Sequence, residues 1–225
     1  GGDNWTQVPG NNIPNPLGGE YGYTRQIEVV GNNVWFTTNK GRIYKSSDKG
    51  NNWDVFQSPI TDFGSAEVNG NISFGDAQNG ILIDNSVNVY RTENGGETWF
   101  EITTSGPVYT TGLCYIEGTS TVFSTGNGSS FSLDGGYSWT PIDNAVHLFV
   151  DFLNEELGWS GAWTQVVGAS SSGGIWKWED FSLGNNEAAE DFEIEYYPNP
   201  TRNFVNFIYQ GDLSISVYDI LGRRI

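Results

Sequence analysis

One eight-residue pattern constrains this chain more than any other feature. It runs Ser/Thr-x-Asp/Asn-x-Gly-x-x-Trp and occurs three times without gaps: Ser46, Asp48, Gly50 and Trp53; Thr92, Asn94, Gly96 and Trp99; Ser132, Asp134, Gly136 and Trp139. A partial copy, Gly2-Asp3-Asn4-Trp5, opens the chain, so tryptophans recur at intervals of 48, 46 and 40 residues. A period of about 40–45 residues is that of one four-stranded propeller blade per repeat. Each fixed position has a mechanical reason. A hydroxyl and a carboxylate or amide two residues apart accept the exposed backbone N–H groups of a turn. Glycine supplies a positive φ. Tryptophan starts the returning strand and buries a large apolar surface.

The flanks agree. Arg42–Lys45 and Asn88–Arg91 lead in as strands, and Trp53–Phe56 and Trp99–Ile102 lead out with period-2 alternation. A second signature precedes some octets: Phe74-Gly75-Asp76-Ala77-Gln78-Asn79-Gly80 aligns with Phe152-Leu153-Asn154-Glu155-Glu156-Leu157-Gly158. A fourth blade is therefore expected from Val146, with Gly174–Trp178 as its third strand and its octet decayed. The expected fold is all-β, a β-propeller of about four blades over residues 1–181. Trp5–Val8 is expected to be the last strand of a preceding blade, and the blades to form an open arc. The chain contains no Met and starts at Gly1, which suggests a processed or truncated piece of a longer protein.

Charge narrows the function classes. With 27 acidic and 10 basic residues the formal net charge is −17. Phosphate backbones repel such a chain, so no nucleic-acid partner is expected. A single cysteine, Cys114, cannot form an internal disulfide and reads as a small buried residue. One histidine, His147, leaves no His-based metal cluster, and no run is long and apolar enough for a transmembrane segment. No cofactor or metal is expected.

The octets resemble the Asp-box, or BNR, repeat found in sialidases, sortilin-type receptors, some endoglucanases and photosystem II stability/assembly factor-like proteins. The Phe-x-Asp-x-x-x-Gly element is most similar to the last group. The resemblance implies a propeller frame, a frame that carries many functions. A sialidase of this type uses an arginine triad, but residues 1–181 contain only Arg25, Arg42 and Arg91, the last at the repeat position of Lys45. An endoglucanase needs two carboxylates across a cleft; Asp62, Asp76, Asp143 and Asp151 are available, and nothing sets them apart from loop acids. Asn94 standing in for Asp favours a hydrogen-bonding role for that octet position, because an amide relays no protons. Catalytic residues are therefore expected to be absent. Trp159, Trp163, Trp176 and Trp178 are the aromatics available to line a ligand-binding face.

The composition changes after Phe181. Residues 182–195 carry Glu187, Glu190, Asp191, Glu193 and Glu195 without a base, as an extended acidic linker does. Then follow Tyr197-Pro198-Asn199-Pro200 and Val217-Tyr218-Asp219-Ile220-Leu221-Gly222-Arg223-Arg224. Both elements resemble the C-terminal sorting domain of the type IX (Por) secretion system of Bacteroidetes. The resemblance assigns 196–225 to a truncated copy of that small β-sandwich and makes Tyr197, Pro198, Asn199, Pro200, Asp219 and Gly222 sorting residues. It implies the type IX machinery as partner and a secreted or outer-membrane cell-surface location. The resulting expectation is a non-catalytic, surface-delivered propeller that binds a polysaccharide or a protein. The alternatives are a glycoside hydrolase with most catalytic residues in upstream blades, and an assembly-factor-like scaffold.

Overall fold

The computed structural model describes residues 4–63, 71–162, 174–178, 195–197 and 206–208. The chain divides into two compact units, Gly1–Phe181 and Ser182–Ile225. The first is built from four antiparallel sheets in a propeller arrangement. Blade 1 holds β1 (Gly22–Val30), β2 (Asn33–Thr38), β3 (Arg42–Ser46) and β4 (Asp54–Gln57). Blade 2 holds β5 (Asn71–Phe74), β6 (Gly80–Ile83), β7 (Val89–Thr92) and β8 (Phe100–Ile102). Blade 3 holds β9 (Gly112–Tyr115), β10 (Val122–Ser132) and β11 (Thr140–Val146), and blade 4 holds β12 (Phe149–Asn154), β13 (Leu157–Gly161) and β14 (Ile175–Lys177). The first strands of successive blades, β1, β5, β9 and β12, lie side by side and form the inner edge of the series.

Blade 3 has one strand fewer because β10 does the work of two. Its first half pairs with β9 and its second half with β11. The Ser124 and Ser130 hydroxyls stand 2.8 Å apart. Six extended residues would span about 20 Å, so the strand doubles back at Gly126–Gly128, where Gly128 has φ 146°.

Strand alternation assigns each residue to one of two seams. In β6, Leu82 faces blade 1 and joins Val30, Trp35, Ile43, Ile72 and Phe74 in one core, where Trp35 stacks on Phe74 at 3.9 Å. Its neighbours Ile81 and Ile83 face the other way and join Val89, Ile102, Tyr115, Val122 and Trp139. Burial of each such side chain contributes about 1.5–3 kcal/mol. A one-residue slip would exchange the two seams, so the register is strongly fixed.

A polar ladder runs along the inner strands. The Glu28 carboxyl accepts the Ser73 hydroxyl at 3.1 Å and the Phe74 N–H. Ser73 Oγ accepts the Tyr115 N–H at 2.9 Å, and the buried Cys114 thiol takes the Phe152 N–H. Each inner strand thus hands a backbone donor to the side chain of the strand before it. Burial is the main cause that pushes the Glu28 carboxyl up to about 7 and the Cys114 thiol to about 12.

One expected element does not form. Trp5–Val8 is not a strand, and Trp5 is fully exposed. Among the described residues no strand lies beside that segment to complete a ladder, and an isolated strand leaves its N–H and C=O groups to water. At the other end of the series, β14 bonds to β13 alone among the described strands. The acidic linker lies outside the described residues except Glu195, which opens β15 (Glu195–Tyr197). That strand pairs antiparallel with β16 (Asn206–Ile208).

Candidate functional site

The three octets fold into the same turn. In each, the first hydroxyl accepts the N–H of the glycine four residues on: Gly50 to Ser46 at 2.9 Å, Gly96 to Thr92 at 2.9 Å, Gly136 to Ser132 at 2.8 Å. The same hydroxyl donates to Oδ1 of Asp48, Asn94 or Asp134. That Oδ1 accepts a backbone N–H four residues on, from Asn52, Thr98 or Ser138. The indole N–H of Trp53, Trp99 or Trp139 then donates to the carbonyl of the turn glycine at 2.9, 3.1 and 2.8 Å. This last bond was not anticipated from the spacing, although a Gly-x-x-Trp interval contains it. Burial opposes ionisation of Asp134, but bonds from Ser138, Ser132 and the turn backbone outweigh it and hold the carboxyl near 2. The Asn52 side chain, with further bonds, holds Asp48 below the ordinary range. The two carboxylates stay ionised as acceptors, the Asn94 amide oxygen accepts in the third turn, and the three side chains do not converge on one cavity. Trp139 is buried, while Trp53 and Trp99 are half-buried.

The fourth octet position was read as variable, yet Lys49, Gly95 and Gly135 all have φ between 62° and 70°. Each donates its N–H to the first hairpin of its own blade, at Asn32, Gln78 and Ser120. Lys45 and Arg91 cross from one blade to the octet of the next. Lys45 Nζ bonds the Asn94 carbonyl at 3.2 Å, and the Arg91 guanidinium lies over Tyr137 at 5.2 Å. Arg42 is held by Glu20, whose carboxyl that pairing lowers to about 2. Arg42 and Arg91 are thus engaged in separate contacts. The Arg25 side chain lies outside the described residues.

The third seam departs from the repeat. Phe123 stacks on Phe152 at 4.1 Å, and Trp178 meets both edge-on. Beside them a cavity of about 150 Å³ opens between blades 3 and 4, lined by Trp159, Trp176 and Trp178 together with Asp143, His147 and Ser160. The register explains the gap. Ser160 pairs with Trp176 as Leu82 pairs with Tyr90, so a serine stands where blade 2 places a core leucine. His147 fills part of the space. Its Nδ1 lies 2.5 Å from Ser160 Oγ and its Nε2 3.0 Å from Asp143 Oδ1, and its ring packs on Trp176 at 4.6 Å. The Ser129 hydroxyl also donates to Asp143. The structure therefore gathers three of the four candidate tryptophans at one cavity, and Trp163 lies outside the described residues. His147 and Ser160 were missed: a lone histidine and a strand serine give no local signal. Of the four acids weighed as a carboxylate pair, only Asp143 lines this cavity. Asp62 accepts the Tyr23 hydroxyl at 2.7 Å, Asp76 caps its own turn, and Asp151 is exposed. No cluster of metal-ligating side chains occurs among the described residues.

In the second unit, β15 and β16 form an antiparallel pair that includes Tyr197. Residues 195–225 match the secretion system C-terminal sorting domain. Pro198, Asn199, Pro200, Asp219 and Gly222 of this sorting domain lie outside the described residues. The domain points to secretion or the cell surface, and no helix among the described residues is long and apolar enough to cross a membrane. Solved structures similar to the chain include YCF48 bound to D1 peptide, at 17% identity and TM-score 0.42 over 61% of this chain and 45% of that one. YCF48 from Cyanidioschyzon merolae follows at 14% and 0.39, over 67% and 57%. An ancestral GH74 enzyme stands at 19% and 0.37, over 69% and 21%. The chain thus spans about half the length of the YCF48 structures. No curated protein matches it significantly. The fold rests on the sheets themselves, and these likenesses transfer no ligand or activity.

Proposed function

We propose that this chain is a non-catalytic propeller of the Asp-box type, delivered by type IX secretion to the medium or the outer-membrane surface, where it binds a polysaccharide or a protein. The cavity in the third seam carries this reading. It combines aromatic faces at Trp159 and Trp176 with hydrogen-bonding groups on Asp143, His147 and Ser160, the mixture that ligand pockets use for affinity and orientation. A site that breaks a repeat's own packing rule is where function is expected. Binding is favoured over catalysis because His147 is buried with both ring nitrogens engaged, and because the octet acids are committed to their turns. The octet residues act as structure and the sorting domain as an address.

The full chain is expected to bind a subset of polysaccharides or surface proteins on an array, and Trp176→Ala to weaken that binding by about tenfold or more, the usual effect of removing an aromatic anchor. Unchanged binding by a folded Trp176→Ala protein would place the ligand elsewhere.

A further inference from the structure

A polar groove of about 600 Å³ lies at the first hairpins of blades 2, 3 and 4, lined by Asp76, Arg91, Tyr115, Thr119, Ser120 and Glu155 among others. It shares no lining residue with the cavity of the third seam. At two of its positions the chain departs from its own repeat. Lys45, the counterpart of Arg91, finds a carboxylate on the octet of the following blade, with Nζ 3.5 Å from Glu97. The same octet position in blade 3 is Tyr137, so Arg91 meets an aromatic ring where Lys45 meets an acid. Among the described residues no carboxylate pairs with the Arg91 guanidinium, and its buried Nε has no hydrogen-bond partner.

Tyr115 is the second departure. It follows the ladder residue Cys114 as Phe74 follows Ser73 and Phe152 follows Asp151, so a hydroxyl is added where the neighbouring blades have plain phenyl rings. The Tyr115 ring is buried, and among the described residues its hydroxyl has no hydrogen-bond partner. A Cβ at Gly135 would stand 2.7 Å from Arg91 Nη1 and 3.2 Å from the Tyr115 hydroxyl, so both donors lie together against the octet turn of blade 3.

The remaining groups of the groove need donors. The Thr119 hydroxyl is committed to the Ile116 carbonyl at 3.0 Å and that of Ser120 to the Leu133 carbonyl at 2.7 Å, so each can only accept from a ligand. Glu155 accepts the Thr121 hydroxyl at 3.4 Å and has further lone pairs to fill. A matching ligand therefore carries one anionic group and several hydroxyls. A phosphate dianion would meet Asp76 and Glu155 as like charges, whereas a carboxylate is singly charged and matches the planar guanidinium fork. An acidic peptide side chain brings a carboxylate without hydroxyls beside it; a sugar acid carries both on one ring.

We propose that this groove binds the carboxylate of a sugar acid, with Arg91 and the Tyr115 hydroxyl donating to it and Thr119, Ser120 and Glu155 accepting from the ring hydroxyls. Amide NMR titration of the full chain with galacturonate tests this. Binding is expected with a Kd of about 1 mM, the strength that a ligand of one ring allows. Galactose and the methyl ester of galacturonate are expected to be at least about tenfold weaker, because neither offers the charge-assisted pair. Tyr115→Phe restores the residue type of blades 2 and 4, keeps the buried ring, and is expected to weaken binding about fivefold. Arg91→Gln is expected to weaken it about tenfold or more. Trp176→Ala is expected to leave galacturonate binding unchanged, which separates this groove from the third-seam cavity. Absence of galacturonate binding, equal binding of the methyl ester, tighter binding of a triglutamate peptide, or parental affinity in a folded Arg91→Gln protein each overturns the proposal.

Discussion

At the scale of single residues, the octet turn is a closed circuit of hydroxyl, carboxylate or amide, glycine and indole. Its bonds span no more than four residues, which is why a linear pattern was enough to read it. The exception within it is Lys49, a non-glycine residue at φ 62° where blades 2 and 3 have Gly95 and Gly135. The reason lies in the preceding blade's approach. A side chain at Gly95 would meet Lys45 Nζ and the Ala77 carbonyl, the latter at 2.5 Å, and one at Gly135 would meet the Arg91 guanidinium. Nothing crosses the turn of blade 1 among the described residues, so a lysine fits there at the expense of a left-handed backbone. Lys49→Gly is expected to stabilise the chain by about 1 kcal/mol, the cost of left-handed backbone at a residue with a Cβ. Gly95→Ala should do the reverse and lower stability. Chemical denaturation midpoints of the two variants check the pair, and a Lys49→Gly protein less stable than its parent would show that the strain is offset by its side chain.

At the scale of strands and seams, the ladder places an acid, Glu28, where the next two blades have neutral Ser73 and Cys114. Burial raises the Glu28 carboxyl to about 7 from an ordinary 4.5. The folded state therefore holds the proton more tightly than the unfolded chain. Its contribution is neutral below about pH 4.5, grows destabilising as pH rises from there to about 7 at about 1.4 kcal/mol per pH unit, and levels off above that at about 3 kcal/mol. Glu28→Gln is expected to stabilise the protein at pH 8 and to leave it unchanged near pH 4.5, as thermal melts at the two pH values would show. A gain of equal size at both would disprove the assignment. None of this could be read from the sequence, because Glu28 meets Ser73 across 45 residues and only the register brings them together. The strands themselves were legible where they alternate beside an octet, as Arg42–Lys45 and Asn88–Arg91 do. The cavity was half legible. Trp159, Trp176 and Trp178 stood out as large aromatics, whereas Ser160 matters because it stands where blade 2 has Leu82, and His147 and Ser129 because they meet Ser160 or Asp143 there. Trp5–Val8 misled because strand propensity is a local property and strand formation needs a neighbour.

At the scale of the whole molecule, the two units carry different tasks in the proposed reading. The propeller binds and the sorting domain addresses. In a bacterium with the type IX machinery, the full chain fused to its native export signal is expected to cross the outer membrane. A version ending at Phe181 is expected to remain in the periplasm as folded propeller, since the first unit contains both hydrophobic cores. Fractionation followed by immunoblotting reads the difference, and equal surface or medium amounts of both would refute the addressing role. Delivery of this kind makes the order of folding matter, and the octet turns bear on it. Closing a loop of four or five residues takes far less chain entropy than closing a seam between blades some 45 residues apart. Each hairpin can therefore form on the hairpin timescale of about 1–10 µs, with its hydroxyls, amides and indole already satisfied, before any seam exists. The slow step left to the chain is the stacking of preformed hairpins, and a sequence that repeats its turns has divided one long folding search into several short ones.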